Sequence, residues 1–292
     1  MNVLITGVNG FIGQHLANAL ISRGHYVVGF GRAKECLVKG ASYFSGDVLD
    51  NQLVEKAAKD ADVVVHLAAL TAHKDIVDNK FEALETNFQG TKNVLEIFSK
   101  SQSAKKFIFC SSGKVYGTIK SLPIAEDHPT LPLNILGKFK LLIENLIDFY
   151  SNDNKSFIIF RAFNVFGPKQ KDSFLVPTIL NQAKDSDEIN LGDIKAKRDY
   201  VYIDDVVDAF VRAIEKENPK GVSIFNICSG KGTSAEEIVS AIGRIKATPF
   251  KIRSNSALYR KDEMDTEFGS YEKIKKELGW EPKHTLESAL KK

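Results

Sequence analysis

Short apolar runs alternate with longer stretches of helical period up to about residue 165. Val3-Leu4-Ile5, Tyr26-Val27-Val28, Val63-Val64-Val65-His66, Phe107-Ile108-Phe109-Cys110 and Phe157-Ile158-Ile159-Phe160 are the runs. Each has the length and branching of a strand buried on both faces. The stretches between them, such as Phe11 to Arg23 and Phe81 to Ser101, are amphipathic and long enough for crossover helices. Repeated βα units of this kind predict an α/β fold, a Rossmann-type doubly wound parallel sheet with helices on both faces. After Gly167-Pro168 the pattern loosens into mixed segments interrupted by Pro177, Pro219, Pro249 and Pro282. The exception is a strand-to-helix passage from Tyr200 through Asp205 into Val206 to Glu215. The expected organisation is a Rossmann-type domain over residues 1–167, to which about 197–230 returns. A smaller mixed C-terminal lobe, residues 168–196 and 231–292, completes it, with a binding site in the cleft between.

Composition narrows the functional classes. The 292 residues are 43% hydrophobic, enough for a substantial core, and the net charge of +3 rests on nearly balanced acids and bases. That balance argues against nucleic acid as a partner but leaves room for a local phosphate site. No apolar run approaches membrane-spanning length, and Met1-Asn2 leads directly into a strand-like run, so neither membrane anchor nor signal peptide is expected. Cys36, Cys110 and Cys228 have no paired or metal-like spacing and read as reduced thiols of a cytoplasmic protein. The six histidines are scattered, which leaves a metal site without support.

The chemistry begins at Thr6-Gly7-Val8-Asn9-Gly10-Phe11-Ile12-Gly13, directly after the first strand and opening a helix. Glycines let the backbone turn tightly and approach a pyrophosphate, and the helix N-terminus supplies N–H groups and a favourable dipole. The end of the second strand selects between cofactors. A carboxylate there would accept from the adenosine ribose hydroxyls and repel a 2′-phosphate; this chain has Phe30-Gly31-Arg32. The glycine makes room for a 2′-phosphate and Arg32 offers it a guanidinium fork, so NADP is the expected cofactor. The alternative is a solvated Arg32 on a turn, with NAD bound less selectively. Asp47-Val48, after the third strand, suits adenine recognition, carboxylate to the exocyclic amine and valine to the ring.

Six further segments carry a family resemblance. They are Val65-His66-Leu67-Ala68-Ala69, Asn87 to Val94, Ser111 to Gly117, Arg161 to Pro168, Arg198 to Asp205 and Leu278-Gly279-Trp280-Glu281-Pro282. Together with the glycine loop they make the chain resemble an extended short-chain dehydrogenase/reductase of the nucleotide-sugar epimerase/dehydratase group, over nearly its whole length. The resemblance implies that Leu67, Ala68 and Ala69 border the cofactor, the alanines as the floor under the nicotinamide, and that Asn87 braces the site. It implies that Ser112 hydrogen-bonds the reacting sugar oxygen and that Lys140 binds the nicotinamide ribose. Asn164 would contact substrate, and Arg198 and Arg260 would hold the nucleotide pyrophosphate. For the last three the alternatives are a turn cap and surface salt bridges. Homodimerisation through two helices per subunit is implied as well; Phe81 to Ser101 and Leu136 to Tyr150 have apolar faces that would permit it, or that would simply pack on the sheet.

One position departs from the family. Its catalytic pair is Tyr-x-x-x-Lys, and four residues before Lys140 stands Leu136. Tyr116 to Lys120 and Tyr271 to Lys275 match the spacing, but the first lies in a turn soon followed by Pro123 and the second lies near the C-terminus, ahead of Leu278-Gly279-Trp280. Leucine exchanges no proton, and losing a positioned acid/base typically removes ~10²–10⁴ of rate. Lys114, two residues after Ser112, is the candidate replacement if desolvation near Lys140 depresses its pKa; a solvent-facing lysine is the alternative. Family 4,6-dehydratases carry Asp-Glu where this chain has Gly113-Lys114, which counts against a dehydratase. The expectation is a nucleotide-sugar enzyme of the C4 epimerase or 4-keto-sugar reductase type. The alternative is a regulator or partner subunit that binds dinucleotide and nucleotide sugar without turnover.

Overall fold

The computed structural model describes residues 1–71, 73–217, 219–255 and 264–292. Thirteen strands are present among them: β1 (Asn2–Thr6), β2 (Tyr26–Gly31), β3 (Ser42–Ser45), β4 (Val63–His66), β5 (Lys106–Ser112), β6 (Ser156–Ala162), β7 (Asn164–Phe166), β8 (Glu188–Leu191), β9 (Lys197–Tyr202), β10 (Gly221–Ile227), β11 (Gly232–Ser234), β12 (Lys251–Ser254) and β13 (Thr266–Glu267). The helices are α1 (Phe11–Ser22), α2 (Asn51–Ala58), α3 (His73–Asp78), α4 (Lys80–Leu84), α5 (Gly90–Lys100), α6 (Ile135–Tyr150), α7 (Leu175–Asp185), α8 (Ile203–Glu215), α9 (Ala235–Lys246), α10 (Glu272–Leu278) and α11 (Leu286–Leu290).

Seven strands form one parallel sheet in the order β10-β6-β5-β4-β1-β2-β3. The chain starts in the middle, winds outward through β2 and β3, then returns to β4 and winds the other way. The carboxyl ends of β1 and β4 are therefore the switch point, where an open α/β sheet leaves a crevice. Alternation along each strand explains the two cores. Val3, Ile5, Val63, Val65, Ile108 and Ile158 face one core, shared with α1 and α8. Leu4, Val64, Phe107, Phe109, Phe157 and Ile159 face the other, shared with α2, α5 and α6. Burial on both faces is why the five central runs show no polar alternation. The edge strands β3 and β10 are half-exposed along much of their length, and the apolar-run pattern does not single them out.

Beyond β6 the chain steps off the main sheet. β7 pairs with β9, and β9 is flanked by antiparallel β11 and parallel β13 in a small mixed sheet; β8 and β12 form a separate pair. The stretch from Phe81 to Ser101, expected as one helix, is interrupted by a π-turn over Glu85–Gln89 between α4 and α5. The extra residue in that turn buries Thr86 and Asn87, which an unbroken α-helix would place at other angles. α6 begins where Asn134 caps it, its side chain accepting the Gly137 N–H at 2.9 Å. Gly137 is required there, because a Cβ would lie 2.3 Å from the Lys114 carbonyl oxygen.

At the amino end of β5 Lys106 ties that strand to α8. Its ammonium donates to the carbonyls of Ala213, Ile214 and Lys216 at 2.5, 2.8 and 2.7 Å, at the C-terminal end of that helix. Lys106→Met is expected to lower unfolding free energy in urea by about 2 kcal/mol, because it strips a charged donor from three carbonyls; an unchanged midpoint would rule out this tie.

Candidate active site

The glycine loop packs against the exit of β4. Gly7 has φ +73°, and a Cβ on it would lie 2.8 Å from the Ala68 nitrogen. A Cβ on Gly13 would lie 2.4 Å from the Gly7 carbonyl oxygen. Gly10 donates to that same carbonyl at 2.9 Å and caps α1 with no side chain of its own. No acidic residue stands in the first turn of α1, where Phe11 and Ile12 are half-buried. The helix dipole is thus left for an external anion, and the cradle fits a dinucleotide diphosphate.

Flanking groups complete this side. Arg32 follows β2 and is exposed, its Nη1 3.4 Å from Glu82 Oε1. Asp47 turns the loop after β3, its Oδ1 accepting from Leu49 N–H at 3.0 Å. Val48 is buried in the core beneath, and its carbonyl accepts from Asn93 at 3.1 Å. Leu67, Ala68 and Ala69 leave β4 half-buried beside Gly7. Asn87 braces this loop with a two-way bond, its Oδ1 accepting from Leu70 N–H at 2.8 Å and its Nδ2 donating to Leu70 O at 2.9 Å. Below lies a polar seam in which His66 Nδ1 is 2.7 Å from Thr6 Oγ1 and Nε2 is 2.9 Å from Thr91 Oγ1.

β5 and α6 supply the second side. Lys140 is buried, donates to the Cys110 carbonyl at 2.6 Å and lies 4.6 Å over the Phe109 ring. Burial pushes its pKa down. Ser112 ends β5 two residues later, its Oγ accepting the Lys114 N–H at 3.2 Å. Leu136 is half-buried on α6, one turn before Lys140, which puts the two side chains on one face. Lys114 reaches across to the small sheet, its Nζ 2.7 Å from Glu267 Oε2. Its cavity is bounded by Gly113, Tyr116, Leu133, Asn134, Met264 and Glu267. Tyr116 is fully buried and donates to Asn226 Oδ1 at 2.6 Å, and burial drives its pKa up. That phenol holds the interior together. Tyr271 precedes α10 with its ring edge-on to Trp280 at 6.4 Å.

The small sheet closes the cleft. Arg198 is buried on β9, donating to Lys197 O at 2.9 Å with its Nε 4.0 Å from Glu267 Oε2. Asn164 donates from Nδ2 to Asp199 O at 2.9 Å. Arg260 lies outside the described residues. Two groups escaped the sequence reading. Glu267 is one, and nothing in its sequence surroundings marks it. The other is Glu144, buried on α6, which takes the Arg161 Nη2 at 2.7 Å and the Ser111 hydroxyl, tying α6 to β5 and β6. A glutamate one turn after Lys140, on an apolar helix face, was the available signal.

A seven-stranded doubly wound sheet with a glycine cradle at its switch point defines a dinucleotide-binding α/β protein. The chain belongs to the NAD dependent epimerase/dehydratase family, whose profile matches residues 3–228. A putative UDP-glucose 4-epimerase of Methanocaldococcus jannaschii is 32% identical over 99% of this chain and 96% of its own. The crystal structure of UDP-glucose 4-epimerase from Thermotoga maritima with UDP-glucose is 30% identical, with TM-score 0.90 over 100% of this chain and 96% of the other. UDP-glucuronic acid 4-epimerase from Bacillus cereus, in complex with UDP-glucuronic acid and NAD, is 27% identical, with TM-score 0.89 over 100% and 97%.

The polar seam has a measurable acid response. Burial, and next the charge of Lys140, push the His66 pKa down to about 3 from the ordinary 6.5. Below pH 6.5 the unfolded chain takes up a proton on this ring that the native state refuses, so stability falls as pH drops through that window. Between pH 7 and pH 5 the loss from His66 is expected to be about 2 kcal/mol, read from urea midpoints. His66→Gln should remove that share of the pH dependence; an unaltered slope in the variant would refute the assignment.

Proposed function

We propose that this protein is an NAD(P)-dependent enzyme acting on a nucleotide sugar at C4, of the epimerase or 4-keto-sugar reductase type. Its site would lack the tyrosine acid/base, with Leu136 in that place. The observation that carries the reading is the bond from Lys140 to the Cys110 carbonyl, two residues before Ser112 at the carboxyl end of β5. In this reading residues 1–167, with about 197–230, hold the cofactor, and 168–196 with 231–292 hold the sugar nucleotide. Bound at Gly7, Gly10 and Gly13, the cofactor supplies hydride donation or acceptance. Lys140 grips its ribose hydroxyls and Ser112 positions the reacting sugar oxygen. Asn164, Arg198 and Arg260 hold the sugar and diphosphate. Lys114 is the proposed proton donor, with Glu267 holding its ammonium at the cavity. Gly113 supports the exclusion of a dehydratase: a Cβ there would already crowd the Phe163 ring at 3.2 Å.

NADP is the proposed cofactor, with NAD the alternative. The exposed Arg32–Glu82 pair is weak and cheap to exchange for a 2′-phosphate. A cytoplasmic homodimer is the proposed setting. Three cysteines without disulfides and the exposed Phe81 and Phe149, on α4 and α6, support it. Among the described residues no helix is long and apolar enough to cross a membrane. The second reading, a binding subunit without turnover, has two observations in its favour: the leucine offers no proton, and Lys114 is already paired with Glu267.

NADPH mixed with a 4-keto nucleotide sugar should lose reduced-nicotinamide absorbance and yield the alcohol, or UDP-sugars should be converted to their C4 epimers; tight dinucleotide binding with turnover of neither would establish the second reading instead. Leu136→Tyr is expected to raise the rate by ~10²–10⁴. Arg32→Ala should weaken NADPH binding about tenfold and leave NADH unaffected; equal losses for both would remove NADP preference from Arg32. Phe149→Asp should sediment as a monomer, and an unchanged dimer would place the interface elsewhere.

A further inference from the structure

We propose that His66 is a positioning residue of the dinucleotide site, held as its neutral Nε2–H tautomer by a one-way chain of hydrogen bonds from Ala68 to Asn87. The direction of every bond follows from counting protons. The Thr91 hydroxyl donates its single proton to the Asn87 carbonyl at 2.5 Å, since a carbonyl can only accept. Toward His66, Thr91 can then only accept, so the Nε2 at 2.9 Å carries the hydrogen. The neutral ring is bare at Nδ1, which accepts from the Thr6 hydroxyl at 2.7 Å. With its proton spent, Thr6 Oγ1 accepts the Ala68 N–H at 3.3 Å. A second proton on the ring would set two donors against each other at Thr6.

The chain ends where it began. Asn87, whose carbonyl receives the last bond, holds Leu70 N–H and C=O with its side chain. The Leu67–Leu70 loop is thus pinned at Ala68 from below and at Leu70 from the side. This loop is the surface against which Gly7 packs too closely for a Cβ. The height of the glycine loop is therefore set through His66, which is itself buried beneath it. The π-turn at Glu85–Gln89 belongs to the same device, since it buries Asn87 beside the loop it holds. The inference rests on the reading that the glycine cradle binds the dinucleotide.

Nitrogen NMR of histidine-labelled protein at neutral pH, with His66→Gln identifying the signal, should find the ring protonated at Nε2 and bare at Nδ1. The opposite tautomer or a charged ring would overturn the chain. Dinucleotide titration of two variants tests the positioning role. Thr91→Val keeps the shape but removes the hydroxyl, and should weaken NADH and NADPH binding alike by about tenfold. Thr91→Ser keeps the hydroxyl but loses a methyl, and should stay within about twofold. A simple packing role predicts the reverse order, and that result, or equal binding by both variants, overturns the proposal while leaving the cofactor reading intact. If Thr91→Val does not fold, Thr6→Val removes the other hydroxyl and must act in the same direction. Wild-type protein that binds neither dinucleotide would overturn the cofactor reading and the positioning role together.

Discussion

The close approach of two backbones, the Gly7 turn and the segment leaving β4, is the contact on which the binding end depends. It exists because β1 and β4 are parallel neighbours at the switch point, with Thr6 and His66 in register at their carboxyl ends. Any side chain at Gly7 would meet Ala68, and any at Gly13 would meet the turn itself. α1 can then start directly after the turn with its N-terminus bare. The loop geometry, the anion-binding dipole and the polar seam beneath are consequences of one steric condition.

Buried polar groups are costly unless partnered, and here the partners cluster around the cleft. Glu144 gathers Arg161 and Ser111, anchoring the helix that carries Lys140 and Leu136. Asp199 accepts the Ser229 and Gly230 amides at 2.6 and 3.0 Å and the Gly269 amide at 3.2 Å, so one carboxylate joins three segments of the small sheet's surroundings. Such networks hold geometry more than they add stability, because removing one member leaves the others uncompensated. The first holds the side that carries Ser112 and Lys140, the second the strand that carries Arg198. Lys114 and Glu267 span the two with an ion pair.

That ion pair bears on the proposed role of Lys114 as proton donor in place of the family tyrosine. The Lys114 ammonium lies 2.7 Å from the Glu267 carboxylate, so it is already engaged across the cavity. A ligand that engages Glu267 would compete for that contact. In the proposed C4 chemistry the proton donor is thereby linked to what fills the cavity between the 3₁₀ turn at Gly113–Val115 and β13.

The amino-acid sequence by itself determined the central strands, the glycine loop and the family segments. Those depend on local rules: alternation between two cores, turn sterics and helix capping act within a few residues. Leu136 one turn before Lys140 was legible for the same reason, since four residues make one helical turn. The edge strands β3 and β10 were not, because exposure dilutes their apolar pattern. The interruption of the Phe81 to Ser101 helix was hidden too, since a π-turn preserves composition. Glu267 on Lys114, Asn87 on Leu70 and His66 between two threonines join residues 153, 17, 60 and 25 positions apart. Only the tertiary structure decided those pairings, because hydrogen-bond partners across a fold are chosen by where strands stack, and spacing along the chain carries no record of it.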